Sequence, residues 1–205
     1  MGAPERLANQ AKNLPSDRCI KLKLNGDRDL DKIRAVRAVQ PTAPLWLDAN
    51  ESWNPECYAA WTPHLTALGV ELIEQPFPAR EDHVLKRLPR PIPVVADESL
   101  HTREELNEIR DRYDGINIKL DKTGGLTEAL ALRDEARALG LKVMIGCMVC
   151  TSLSTALAWL LTAGAAWIDL DGPALLERDR SLGATFDGNS MYPPSSEIWG
   201  HPRVT

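Results

Sequence analysis

The sequence predicts an α/β protein, a parallel (β/α) barrel of the TIM type that lacks its first strand. Three observations predict this. Seven short apolar runs alternate with helical patterns along the chain. Strand then helix, repeated, gives a parallel sheet, and units advancing about 25 residues each favour a closed barrel over an open sheet. No Gly-rich dinucleotide fingerprint follows the first run, which disfavours a Rossmann arrangement.

The strand-like runs are CIKLKL, PLWLDAN, GVELIEQP, IPVVADES, GINIKLD, LKVMIGC and AAWIDLDGP. Between them lie DRDLDKIRAVRAV, NPECYAAWTPHLTALG, HTREELNEIRDRY, GGLTEALALRDEARALG and SLSTALAWLLTAG. Leu30, Ile33 and Val36 form an apolar stripe, stopped by Pro41. Asn54 and Pro55 read as an N-cap followed by proline at the first helical position. Pro63 predicts a kink or break in that helix. Thr102 with Glu105 fits a capping box, and Gly69 and Gly140 sit where helices end. KTGG at 122–125 lacks Walker spacing and reads as a tight turn into a helix. APERLANQAKN, before the first run, reads as a helix. A helix there implies a preceding strand for which no sequence remains, and a full barrel usually takes about 250 residues. The last 30 residues read as loop and tail.

Apolar residues make up 43% and charged residues 26% of the chain, as in a soluble globular protein. A net charge of -5 argues against nucleic-acid or anionic-membrane partners, which need basic patches. No apolar run reaches membrane-span length, and the start lacks signal-peptide order, so the expected compartment is the cytoplasm. Cys147 and Cys150 form a CxxC. No second pair or His set completes a zinc site, so reduced thiols near a strand end are the expectation.

Function is carried by the polar residues near the strand ends: Lys21 and Lys23, Asp48 and Asn50, Glu74, Asp97, Lys119 and Asp121, Asp169 and Asp171. Alternation puts Lys21 and Lys23 on one face, two like charges side by side. Asp48 and Asn50 share a face opposite Leu47, and Asp169 and Asp171 share one opposite Ile168 and Leu170. In a barrel such residues converge at the C-terminal mouth. A single carboxylate there is usually a cap or a loop ion pair. Three from consecutive strands, Asp48, Glu74 and Asp97, would repel each other unless a divalent cation lay between them. All-oxygen ligation suits Mg²⁺, and these runs hold no Cys or His for zinc. Lys23 lies one unit before this trio and Lys119 one unit after. Lysines on opposite sides of a metal fit proton removal from one face of a carbon acid and delivery on the other, with the metal stabilising an enediolate. A neighbouring cation such as Lys21 would ease deprotonation of Lys23. Lys119, between Ile118 and Leu120, is expected to face away from both.

The runs KLKL, DANESW, LIEQPFPA, VVADESLHT, NIKLDKTGGLTEAL, IGCM and DLDGP resemble the enolase superfamily, in its muconate-lactonizing subgroup. Within it they are most similar to the dipeptide epimerases of the L-Ala-D/L-Glu epimerase type. The likeness covers about residues 4 to 175, with the motifs in order at one-unit spacing. It implies a barrel catalytic domain over 1–175 and a C-terminal loop and tail over 176–205. It implies a Mg²⁺-dependent isomerase inverting the α carbon of the C-terminal residue of dipeptides such as L-Ala-L-Glu. Lys23 and Lys119 would be the acid/base pair, and Asp48, Glu74 and Asp97 the metal ligands. Lys21, Asn50, Asp169 and Asp171 would bind substrate, the Asp-x-Asp holding the dipeptide's ammonium. Charge complementarity independently favours a cationic group there. Family members also carry an N-terminal capping domain that closes the barrel mouth, and this sequence lacks it. The implied partners are a small dipeptide and either a second copy of the chain or a capping domain in trans. The alternatives are an o-succinylbenzoate synthase or cycloisomerase of the same subgroup, or an inactive truncated barrel.

Overall fold

The computed structural model describes residues 2–188 and 190–200. The chain divides into two compact units. The first holds the chain up to Leu100 with Asn107–Gly115; the second holds His101–Leu106 and the chain from Ile116 onward.

In the first unit, helix α1 (Pro4–Lys12) precedes β1 (Ile20–Lys23), α2 (Asp29–Val39), β2 (Leu45–Asp48), α3 (Pro55–Ala67), β3 (Val70–Glu74) and β4 (Val94–Ala96). The strands are parallel and neighbours in chain order. Leu24, Leu47, Leu72 and Ile73 are wholly buried, each contributing about 1.5–3 kcal/mol of apolar transfer. Burial on both faces explains why β3 reads as a nearly continuous apolar run. Gln40 ties α1 down, its Nε2 donating to the carbonyls of Ala11 and Leu14 at 2.7 Å each.

Two expectations need correction here. The buried face of α2 carries Asp29 and Lys32 beside Ile33 and Val36, with Leu30 only half-buried. Asp29 and Lys32 are ion-paired at 3.0 Å. Asp29 also accepts from the Gly26 amide at 2.8 Å and from Trp53 Nε1 at 2.9 Å, closing the turn after β1. Helix α3 runs through Pro63 without a break. Both Pro63 and Ala59, whose carbonyl the proline leaves without a helical donor, are exposed. That carbonyl lies on the exposed side of the helix, within reach of solvent, while Tyr58, Thr62 and Leu65 are buried.

The pairing of β2 with β3 skips one residue. Leu45 lies opposite Val70 but Trp46 opposite Leu72, so Glu71 bulges out. Its carboxylate accepts from Trp46 Nε1 at 3.2 Å. The bulge sets Glu74, rather than Ile73, level with Asp48.

The helix expected over HTREELNEIRDRY is reduced to a 3-10 turn, Arg103–Glu105, and one turn of α4 (Leu106–Ile109). The capping box of Thr102 and Glu105 forms. Beyond Ile109, Arg112 and Tyr113 leave the helical path and bond to buried Asp82.

Apart from Gly115, which belongs to the first unit, the second unit holds β5 (Gly115–Ile118), α5 (Leu120–Thr123), α6 (Leu126–Ala138), β6 (Lys142–Gly146), α7 (Ser152–Trp159) and β7 (Trp167–Asp169). Its strands are again neighbours in chain order. Gly124 and Gly125, at φ 80° and 126°, turn the chain from α5 into α6 where a side chain would be strained. A 3-10 turn (Gly172–Leu175), a hairpin of β8 (Phe186–Asp187) with β9 (Ser190–Met191) and a 3-10 turn (Ser196–Trp199) follow. Among the described residues no helix is long and apolar enough to cross a membrane.

Candidate active site

Three adjacent strands of the first unit end level with one another. Lys23 on β1 is paired in register with Asp48 on β2, and Asp48 with Glu74 on β3. Asp97 lies just past the end of β4. Asp48 and Glu74 are wholly buried and Asp97 is 3% exposed. Such groups need a counter-charge. Lys21 Nζ is 2.7 Å from Glu74 Oε2 and 3.5 Å from Asp48 Oδ2, and Lys23 Nζ is 2.9 Å from Asp48 Oδ2. Both lysines on one strand face thus meet the same Asp48 oxygen, and the carboxylate absorbs the repulsion between them. The two differ in setting: the Lys21 side chain is 15% exposed and the Lys23 side chain 61%.

Burial pushes the Glu74 carboxyl up to about 7; Lys21 opposes this, and Asp48 and Asp97 add to it. The three carboxylates therefore feel each other's charge. Among the described residues, however, no three Asp, Glu, His or Cys side chains stand as a ready metal-ligand set. Lys21 reaches two of the three carboxylates. The donor chemistry still fits a hard divalent cation: buried carboxylate oxygens at adjacent strand ends, with no sulfur or imidazole among them.

The backbone beyond these carboxylates is strained. Asn50, Glu51 and Gln75 have φ of 43°, 62° and 37°. Asn tolerates this region, but Glu and Gln there cost about 1–3 kcal/mol each. Hydrogen bonds hold the loops in place. Glu51 N donates to Gln75 O, Trp53 N to Pro76 O and Gln75 N to Val95 O, each at 2.9 Å. The Asn50 amide donates to Asp48 Oδ1 at 3.2 Å, and its Nδ2 to Glu98 Oε1 at 3.3 Å. Glu98 escaped the sequence reading, although its place beside Asp97 was a signal. Burial, then the Asp97 charge, raises its carboxyl above the usual range.

In the second unit Lys119 follows β5 and caps α5, 8% exposed. Ile118, Lys119 and Leu120 are all buried, so strand alternation does not put Lys119 on a solvent face. The strand ends at Ile118, and Asp121 is exposed in the first turn of α5, off the strand row. Asn117 is wholly buried and packs on Gly146 of β6, where a Cβ would collide with the Asn117 side chain.

Asp169 ends β7, level with Gly146 and half-buried, and Asp171 is exposed ahead of the Gly172–Leu175 turn. Around this pair Ile168 is 47% exposed and Leu170 is buried. The expected opposition of both to the aspartates ends where the strand ends. Cys147 Sγ bridges this corner, donating to Asp169 O at 3.5 Å and accepting from Gly172 N at 3.3 Å. Burial pushes the Cys147 thiol up to about 12 and raises Cys150 as well. These thiols stay protonated, so neither supplies a ready thiolate.

The family described as enolase C-terminal domain-like matches residues 6–180. L-Ala-D/L-Glu epimerase of Escherichia coli (strain K12) is 46% identical over 194 residues, 94% of this chain and 60% of that protein. N-acetyl-D-glutamate racemase of Pseudoalteromonas is 40% identical over 197 residues, 96% of this chain and 62% of that protein. The crystal structure of an enolase family member from Agrobacterium tumefaciens, with homology to dipeptide epimerases and with bound sodium and L-Ala-L-Glu, has a TM-score of 0.94. It is 44% identical, over 98% of this chain and 61% of that one. The chain thus spans 60–62% of the length of these relatives. The carboxylates ending successive parallel strands and the family match lead to one conclusion: the chain belongs to the enolase C-terminal domain-like family, within the enolase superfamily.

Proposed function

We propose that this chain is the catalytic barrel part of a Mg²⁺-dependent dipeptide epimerase. It would invert the α carbon of the C-terminal residue of dipeptides such as L-Ala-L-Glu. The observation that carries this is the level row of Lys23, Asp48 and Glu74 on adjacent strands, with Lys21 against both carboxylates. Asp48, Glu74 and Asp97 are the residues that would hold Mg²⁺. When bound, a divalent cation supplies the positive charge that makes the α proton of a carboxylate substrate more acidic. Lys23 and Lys119 are assigned the two proton transfers, one on each face of the α carbon. A lysine works as base only when neutral. Lys21 and Asn50 are assigned to the substrate carboxylate end, and Asp169 and Asp171 to the α-ammonium of the dipeptide.

We assign catalysis to residues 1–175 and read 176–205 as a C-terminal loop and tail. The barrel mouth needs a cover to exclude water during proton transfer, and what we infer beside the dipeptide is a capping domain of the kind family members carry or a second copy of the chain. All four cysteines are free thiols, which suits the reducing cytoplasm we assign.

A second reading has an observation in its favour. The 40% identical racemase acts, by its name, on N-acetyl-D-glutamate, which carries no ammonium. One experiment separates the two. The chain is incubated with Mg²⁺ in D₂O with L-Ala-L-Glu or with N-acetyl-L-glutamate, and loss of the α-proton signal is followed by NMR. Exchange on the dipeptide alone, weakened by Asp169→Asn with Asp171→Asn, supports the epimerase. Exchange on the N-acetyl amino acid alone transfers the assignment to the racemase reading.

A further inference from the structure

We propose that Gln75 is a positioning residue: its side-chain carbonyl holds the turn that carries Asp97, and so sets where the Asp97 carboxylate meets a divalent cation. The cation part rests on the assignment of Asp97 as a ligand above. Gln75 directly follows Glu74 and is wholly buried. Its Oε1 accepts from the backbone amides of Asp97 at 2.8 Å and Ser99 at 3.1 Å. One amide oxygen thus fixes the first residues beyond β4. The orientation of that amide is forced. Two backbone N–H groups can only donate, and the Phe77 carbonyl, 2.9 Å from Nε2, can only accept.

The nitrogen end is fixed as firmly. Nε2 lies 2.7 Å from Ser99 Oγ and 2.9 Å from Tyr113 OH. Both hydroxyls can accept there, because each gives its proton to Asp82 Oδ2, Ser99 at 2.7 Å and Tyr113 at 2.8 Å. Asp82 is wholly buried and neutralised by Arg112 Nη1 at 2.8 Å. Every polar atom of Gln75 therefore has a partner of the right sense, and the chain of bonds ends in an ion pair between buried Asp82 and half-buried Arg112. Gln75 also occupies a left-handed backbone position, φ 37°, that glycine would fill without strain. Glycine has no carbonyl to offer the Asp97 turn. The network thus links the strand end bearing Glu74 to the turn bearing Asp97.

The test measures Mg²⁺ affinity by calorimetry on the 205-residue chain, and amide hydrogen exchange at Asp97 and Ser99 in chelator. Gln75→Leu is expected to weaken Mg²⁺ binding about tenfold or more, the range for lost outer-sphere partners. It should also speed exchange at those two amides by about tenfold or more. Should Gln75→Leu fail to fold, Gln75→Asn retracts the same amide by one methylene and should move both readings the same way. Tyr113→Phe loosens the network but keeps both amide bonds, so its Mg²⁺ affinity should stay within about twofold of wild type. Unchanged affinity and unchanged protection of the two amides in Gln75→Leu overturn the proposal. So does a Tyr113→Phe variant that loses as much affinity, because general loosening then explains both. If the wild-type chain takes no Mg²⁺, the cation assignment fails. Exchange at Asp97 and Ser99 then decides by itself whether Gln75 holds the turn.

Discussion

Glu74→Gln should stabilise the chelated protein at alkaline pH and destroy its response to Mg²⁺. Glu74 is wholly buried, and its carboxyl is raised from 4.5 to about 7, chiefly by burial. A raised carboxyl binds its proton more tightly in the folded state. Its contribution to stability is therefore complete below about pH 4.5 and is lost as the pH rises through about 7. At about 1.36 kcal/mol per pH unit, ionised Glu74 costs the folded state about 3 kcal/mol at pH 8. Glutamine resembles the protonated acid and can still turn its carbonyl toward Lys21 Nζ, which stands 2.7 Å from Glu74 Oε2. In a chain of this size each kcal/mol moves Tm by about 2–4 °C. In EDTA at pH 8 the variant should then melt about 6–12 °C above wild type, with the gap closing by pH 4. Calorimetric melts across pH 4–8, repeated with Mg²⁺, give the reading. Mg²⁺ should raise the wild-type Tm and leave the variant unmoved. A variant no more stable than wild type at pH 8 in EDTA would refute the reasoning, since Lys21 would then fully offset the burial of the charge.

Lys23→Met and Lys119→Met should each cut α-proton exchange by about 100- to 10,000-fold. Each should act on one epimer only, which parallel NMR runs on L-Ala-L-Glu and L-Ala-D-Glu would reveal. Asp82→Ala leaves Arg112 without its buried partner and removes the acceptor of Ser99 and Tyr113. A loss of about 3–5 kcal/mol in urea titration is expected. Gly146→Ala drives a methyl group into the Asn117 side chain and should cost about 1–3 kcal/mol by the same titration.

The strands and their polar ends were legible because parallel strands buried on both faces announce themselves as short apolar runs, and a charge in such a run stands out. Asp48, Glu74 and Lys23 were readable for that reason, and the register then set them level. Local caps were equally plain, as at Asn54, whose side chain accepts from the Cys57 amide at 2.8 Å. Long-range polar partners were not. Nothing in the spacing of Gln75, Asp82, Ser99 and Tyr113 says that they meet, because they are spread over two connections, Gln75 and Asp82 between β3 and β4, Ser99 and Tyr113 between β4 and β5. Pro63 misled because its effect depends on whether the freed carbonyl faces water, and Asp121 because strand alternation stops one residue before Lys119. The ion pair inside α2 was missed because an apolar stripe was sought where Asp29 closes a turn.

The bulge at Glu71 separates two rulers within one strand. Below it Val70 keeps step with Leu45 at the start of β2; above it, Leu72 to Glu74 keep step with Trp46 to Asp48 at its mouth. Removing Glu71 would leave Leu72, Ile73 and Glu74 opposite Trp46, Leu47 and Asp48. The slack is thus taken up at the bottom of the sheet. Insertions and deletions around α3 can be absorbed there, and evolution can change the length of the scaffold without moving the chemistry.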